Sequence, residues 1–317
     1  MRRPLFLIAV IALFAVLVVG NASAMPPGID SRTADFSPLP HQPLFSTDAD
    51  VFLGQKTRRI SGGGRVWSNL YYGDTRLKPK GEDLIKPSFY GIQLGYDANK
   101  SHGVYSSYFF NVNQSKVDTS DFSSVIDNYM IGYGKFIYLS VCHFTFTGSI
   151  GYDNYKIDGG ENKGDGLQTN LFSEFGLDLL LGQWAFKPFY ALQYDFLYHG
   201  NLGERTHWNR HGLTQLFGSR LNWKPTHALE LQSRVIWVHE MLDNPPPFYH
   251  MRFSPVAGVN SPAIMYYEGN TGRDWAWFGI GGKFECVFNV YLFLDYDLLL
   301  NERHTTHLGS AGVCFGW

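Results

Sequence analysis

The sequence predicts an all-β fold, a closed antiparallel transmembrane β-barrel of about 12 strands, with a short N-terminal helix as a candidate occupant of its lumen. Three observations predict it. Apolar and polar residues alternate over unusually long runs. Charges of both signs collect on the polar side of that alternation. The connections between runs alternate between tight and long.

The alternation is clearest where Phe186, Pro188, Tyr190, Leu192, Tyr194, Phe196 and Tyr198 are interleaved with Lys187, Gln193, Asp195 and His199. Period two marks a strand with one apolar and one polar face. The pattern recurs from Tyr90 to Asp97, from Phe144 to Asp153, from Leu229 to Glu240 and from Asn289 to Leu298. Strands of soluble proteins average about five or six residues. Longer runs suit strands that cross a bilayer at a tilt. On the polar side, Glu174, Asp178, Lys187, Asp195, Arg220, Glu230, Arg234, Asp295 and Asp297 are expected to line a lumen. The opposite face would meet lipid, where a charge at mid-depth costs about 2–4 kcal/mol.

The elements follow in chain order. Arg2 and Arg3 precede an apolar run from Leu5 to Val19, which ends in Asn21-Ala22-Ser23-Ala24. That is the layout of a secretory signal peptide spanning 1–24 and cut after Ala24. An uncleaved anchor helix is the alternative, but the run is short for a span of about 20 residues. Residues 25–64 are rich in Pro, Ser and Asp and close on Ser61-Gly62-Gly63-Gly64, so they read as a mostly irregular leader. Within it, 46–60 has capping residues at Ser46 and Asp48 and cations at Lys56, Arg58 and Arg59, where a helix C-terminus favours positive charge. This piece is either a plug helix whose cations meet lumen acids or part of an irregular leader with exposed charges.

The barrel is placed at 65–317. Candidate strands are 65–73, 88–98, 102–114, 126–138, 141–155, 168–181, 184–198, 213–223, 227–239, 273–284, 288–299 and 305–317. The connections near 99–101, 139–140, 182–183, 224–226 and 285–287 are tight. Those near 74–87, 115–125, 156–167, 199–212 and 240–272 are long, and the one at 300–304 breaks the alternation. Tight periplasmic turns and long outer loops are the asymmetry of outer-membrane barrels. The last strand carries Ala311, Val313, Phe315 and Trp317 on one face, and an aromatic terminus of this kind resembles an outer-membrane assembly signal. Trp67, Trp184, Trp208, Trp223, Trp237, Trp275 and Trp277 are expected in two interfacial aromatic girdles.

The chain resembles the autotransporter β-domain family, the translocators of type V secretion. The resemblance rests on Val66-Trp67, then Gly91-x-x-x-Gly95-x-Asp97, then Glu174-x-Gly176 with Lys187-Pro188 and Leu192-x-Tyr194. Gly218-x-Arg220-Leu221, Trp237-x-His239-Glu240 and the closing strand follow in order. It implies a twelve-stranded barrel with a helix through the lumen and export of an N-terminal passenger. Only 25–64 stand between the expected cleavage point and the barrel, and no Asn-Asn junction is present, so a sizeable passenger is not expected. The expected role is that of a pore, anchor or structural protein of the outer membrane.

The alternative is an outer-membrane hydrolase with a rim site built from His199, His207, His211, His239 or His250 beside Asp195, Asp243 or Glu240. No Gly-x-Ser-x-Gly pattern accompanies these histidines, so no catalytic residue is assigned. Gly279-x-Gly281-Gly282 lies within a strand pattern and is not a nucleotide loop. Cys142, Cys286 and Cys314 form no disulfide framework, and Cys142 and His143 should face opposite ways on a strand, so neither a metal nor a cofactor is expected. A net charge of −2 gives no basis for nucleic-acid binding. The expected partners are outer-membrane lipid and the barrel assembly machinery, with the protein itself a monomer.

Overall fold

The computed structural model describes residues 64–77, 86–101, 104–118, 123–139, 141–157, 162–200, 208–226, 228–242, 250–253, 263–266, 273–287, 290–302 and 304–316. The signal peptide, residues 25–63 of the leader with the helix expected at 46–60, His207, Asp243 and Trp317 lie outside the described residues.

The long alternating runs form long strands: β1 (Gly64–Leu77), β2 (Ser88–Ser101), β3 (Val104–Asp118), β4 (Ser123–Leu139), β5 (Cys142–Ile157) and β6 (Asn162–Leu177). A break at Asp178 separates β6 from the short β7 (Leu179–Leu181). Then come β8 (Trp184–His199), β9 (Trp208–Trp223), β10 (Leu229–Leu242), β11 (His250–Phe253), β12 (Ala263–Tyr266), β13 (Asp274–Val287), β14 (Val290–Leu300) and β15 (His304–Gly316). All pairings are antiparallel and join chain neighbours, except that β6 pairs β8, β10 pairs β13 and the first strand pairs the last, with Arg65 opposite Gly316 and Leu77 opposite His304. β6 pairs β8, and β7 extends the same edge of β8. The sheet therefore closes as a 12-stranded antiparallel barrel with one extra strand, and β11–β12 form a separate two-stranded sheet. Closure leaves no open edge, so ladder groups at membrane depth bond within the barrel. Among the described residues there is no helix, and so none long and apolar enough to cross a membrane.

Tight connections join β2–β3, β4–β5, β7–β8, β9–β10 and β13–β14, and all lie at the end where β1 begins and β15 finishes. The tightest runs from Leu181 to Trp184, with Gly182 at φ 62°, the left-handed backbone that a two-residue hairpin needs. Two loops read as long are short. Strand pairing continues through Lys116 and Val125 and through Lys156 and Lys163, leaving only 119–122 and 158–161 as connections. The outward face turns polar there, at Gln114, Lys116, Asp127 and Lys156. The apolar period therefore stops before the hydrogen-bonded ladder does.

The burial pattern is that of a soluble protein turned inside out. Ile131, Phe217, Ile280, Leu294 and Val287 are between 58 and 66% exposed, whereas Asn69, Asn111, Asn170, Arg220 and Arg234 are at most 2% exposed. The interior is not uniformly polar. Phe172, Phe189, Leu216, Ile236, Val238, Trp275, Trp277 and Leu299 pack together inside, and Trp67, Phe109, Met130 and Cys314 form a second inner cluster. This corrects the girdle reading. Trp67, Trp275 and Trp277 point inward and are buried, while Trp184 and Trp237 face outward. Trp184 stacks on Trp223 at 5.3 Å between ring centroids. On β13 the neighbours of the two inner tryptophans are Ala276 and Phe278, so both faces are apolar and the period does not say which is inside.

Candidate functional site: the barrel lumen

Each inward-facing position is fixed by the two-residue period and by cross-strand register. Glu174, Asp178, Lys187, Asp195, Arg220, Glu230, Arg234, Asp295 and Asp297 are all buried on inward faces. The structure gathers most of them into two networks.

The first joins β5, β6, β8 and β9 near the tight-turn end. The Arg220 guanidinium donates from Nη1 and Nη2 to the two Glu174 carboxylate oxygens, at 2.7 and 2.6 Å. Such fork-to-fork pairing is the strongest geometry open to Arg. The Arg220 guanidinium also lies 3.9 Å from the centroid of the Phe189 ring, a cation–π contact. His143 lies between two carboxylates, with Nε2 3.0 Å from Glu174 and Nδ1 3.0 Å from Asp178. Asp178 in turn pairs with Lys187 at 2.9 Å. Gly176 stands directly across from His143 in the ladder, and a Cβ there would overlap the imidazole ring. The missing side chain is what lets the ring reach both acids.

The second network runs across β9, β10, β13 and β14. Asn222 donates to Glu230 at 3.0 Å, Gln232 donates to Asn222 at 3.1 Å, and Arg234 donates to Gln232 at 3.1 Å. Arg234 then binds Asp297 through Nε at 2.7 Å and lies 3.5 Å from Asp295. Trp277 Nε1 donates to the same Asp297 oxygen at 2.8 Å. Gly279 underlies this junction, since a Cβ there would overlap both Arg234 and Asp297. Asp195 lies against Gly212, its partner across the β8–β9 ladder.

His143 is the residue that the reading of single strands missed. Its place on the same face as Thr145, Thr147 and Ser149 was a signal of an inward position, but its partners come from β6 and became visible only with the register. Cys142 is on the opposite face, and all three cysteines are free. Among the described residues, no group of three or more His, Cys, Asp or Glu is arranged to hold a metal ion.

Among the described residues, His211 and His239 are not assembled with Asp195 or Glu240. Asp195 and Glu240 face inward and are buried, whereas His211 and His239 face outward. His211 Nδ1 is 2.7 Å from the Tyr194 hydroxyl, and His239 Nδ1 is 2.9 Å from Asp274. The side chains of His199 and His250 lie outside the described residues.

The geometry is a closed twelve-stranded barrel with first and last strands paired and a charged, hydrogen-bonded interior. A model of the autotransporter β-domain matches residues 66–297. The chain belongs to the autotransporter β-domain family. Three solved autotransporter β-domains share its fold. The translocator domain of the autotransporter NalP from Neisseria meningitidis has a TM-score of 0.62 at 13% identity, covering 80% of this chain and 88% of that one. The β domain of the Bordetella autotransporter BrkA has 0.59 at 12% identity, covering 81% and 100%. The transport unit of the autotransporter AIDA-I from Escherichia coli has 0.55 at 14% identity, covering 87% and 94%. No curated protein matches the sequence. Autotransporter β-domains are outer-membrane barrels of type V secretion and are not in themselves enzymes.

Proposed function

We propose that this translocator-type barrel acts as a pore and anchor in the outer membrane, with residues 46–60 as an occupant of its lumen. The observation that carries this reading is the sign of the wall. Among the described buried inward-facing residues there are nine acids: Asp97, Asp153, Glu174, Asp178, Asp195, Glu230, Glu240, Asp295 and Asp297. Against them stand five lysines and arginines, Arg65, Lys187, Arg220, Arg234 and Lys283, with His143 and His304 the buried histidines. A wall with an acidic excess favours a cationic occupant, and Lys56, Arg58 and Arg59 supply one from the segment just ahead of β1. Export would follow from the signal peptide at 1–24. Insertion would follow from recognition of Val313, Phe315 and Trp317 by the barrel assembly machinery, with lipid around the apolar face and one chain per barrel.

The test is conductance in planar bilayers. The purified full-length protein should give small, well-resolved current steps that enlarge when the segment 46–60 is deleted. A chain that inserts but passes no current in either form would remove the pore and leave the anchor.

A further inference from the structure

One charge outside the lumen stands in an apolar setting. The outward side chains of β4 are Val125, Asp127, Tyr129, Ile131, Tyr133, Lys135, Ile137 and Leu139. Asp127 is near the long-connection end and is paired with Lys156 at 2.6 Å. Lys135 has Tyr133 and Ile137 on either side along the strand and Phe146 across the ladder on β5. Its side chain is exposed, and no ion pair engages it among the described residues. Among the described strand residues, it is the one outward charge between the polar long-connection rim and the tight turns. An ionisable group facing lipid is costly and marks a functional position. Lys135 is four residues from the end of β4 at Leu139. For strands tilted by 35–45°, that is about 10 Å of height above the tight turns. Its long stem lets the ammonium reach the headgroup layer on that side.

Lys135 also stands at the mouth of a groove of about 510 Å³ on the outer face, within the usual range of about 300–1,000 Å³ for ligand sites. Two cross-strand rows form it. Lys135, Phe146, Ser173 and Leu192 follow one another across β4, β5, β6 and β8. Tyr133, Gly148, Leu171, Tyr194 and Leu213 form the next row, reaching β9. Gly148 is a low point. The nearest atom to a Cβ built there is Leu171 Cδ2 at 3.4 Å, so space lies open above it. The groove also climbs. Lys135 is four residues from the tight-turn end of its strand, whereas Leu213 is ten residues from the corresponding end of β9 at Trp223. A ligand lying in it runs from one headgroup layer toward the bilayer centre.

The geometry points to a phospholipid site: an anionic lipid of the tight-turn leaflet sets its phosphate on Lys135 and lays an acyl chain along the groove toward Leu213. The cation, the apolar walls and the upward course all match that one occupant. The site requires only that the barrel be inserted, so it stands or falls independently of conductance. Full-length protein, its folding shown by heat-shifted gel mobility, is equilibrated in mixed micelles with equal phosphatidylglycerol and phosphatidylethanolamine and read by native mass spectrometry. Wild type retains phosphatidylglycerol about tenfold over phosphatidylethanolamine. Lys135→Gln abolishes the preference while lipid is still retained. Gly148→Phe fills the groove and removes the retained lipid with Lys135 intact. Equal retention of the two lipids by wild type overturns the proposal, and so does either folded variant that holds phosphatidylglycerol as wild type does.

Discussion

The Arg220 guanidinium lies fork to fork on the Glu174 carboxylate, with both side chains at most 1% exposed. A buried ion pair of this kind repays its desolvation only while both partners are present. Removing Arg220 leaves Glu174 with His143 alone, and removing Glu174 leaves a guanidinium over Phe189. Each single change, Arg220→Met or Glu174→Leu, should destabilise the barrel by about 3–5 kcal/mol. The double change should cost much less than the sum. A double-mutant cycle on unfolding of the purified protein in urea-containing liposome suspensions measures this, and additive costs would count against coupling.

Gly279 tests the second network by sterics alone. A Cβ at this position would overlap Arg234 Nε and Asp297 Oδ1, so Gly279→Val must push the pair apart. Gly282, three residues on, faces outward, and its built Cβ meets Leu231 at an ordinary 3.4 Å. Gly279→Val should therefore lower the yield of heat-modifiable barrel, while Gly282→Ala leaves it unchanged. Equal yields would mean that the Arg234–Asp297 contact carries little of the stability.

The barrel was legible because outward faces such as Phe186 to Tyr198 keep one period over many residues, and only a membrane allows such faces to stay exposed. Strand ends were less legible. Lys116, Asp127 and Lys156 interrupt the apolar period although their backbones still pair. The orientation of β13 was hidden for the opposite reason, since Trp275 and Trp277 alternate with residues equally apolar. The site residues could be placed on a polar face from sequence, but not joined. The union of His143 with Glu174 and Asp178 depends on register between β5 and β6, and one residue of slip would send it outward.

The inverted polarity makes a directional prediction at Leu294, which is mid-strand on β14 and 66% exposed. Leu294→Lys places a charge on the lipid-facing side and should cost about 2–4 kcal/mol. Leu294→Phe should cost almost nothing. Denaturation midpoints of the two variants in bilayers check this, and a tolerated lysine would argue that this face is covered by something other than lipid.

Phe315 faces outward on the last strand, opposite both Val66 and Val290 at the seam where the barrel closes. Proposed as part of an assembly signal, it should matter more in cells than in a test tube. Phe315→Ala should reduce folded barrel in outer-membrane fractions several-fold while refolding into detergent proceeds as for wild type. Loss of refolding to the same degree would assign Phe315 to packing of the seam instead.

The acidic excess of the lumen wall makes a further prediction about its occupant. If Lys56, Arg58 and Arg59 sit against Glu174, Asp195, Glu230 or Asp295, reversing two of these cations places like charges together in a confined space. Within a low-dielectric channel that repulsion exceeds what water would allow. Arg58→Glu with Arg59→Glu should therefore expel the segment and raise single-channel conductance toward that of the deletion lacking 46–60. The same double variant should become sensitive to added protease within 25–64, with the barrel itself still resistant. Conductance equal to wild type, in a barrel shown to be inserted, would place these cations outside the lumen.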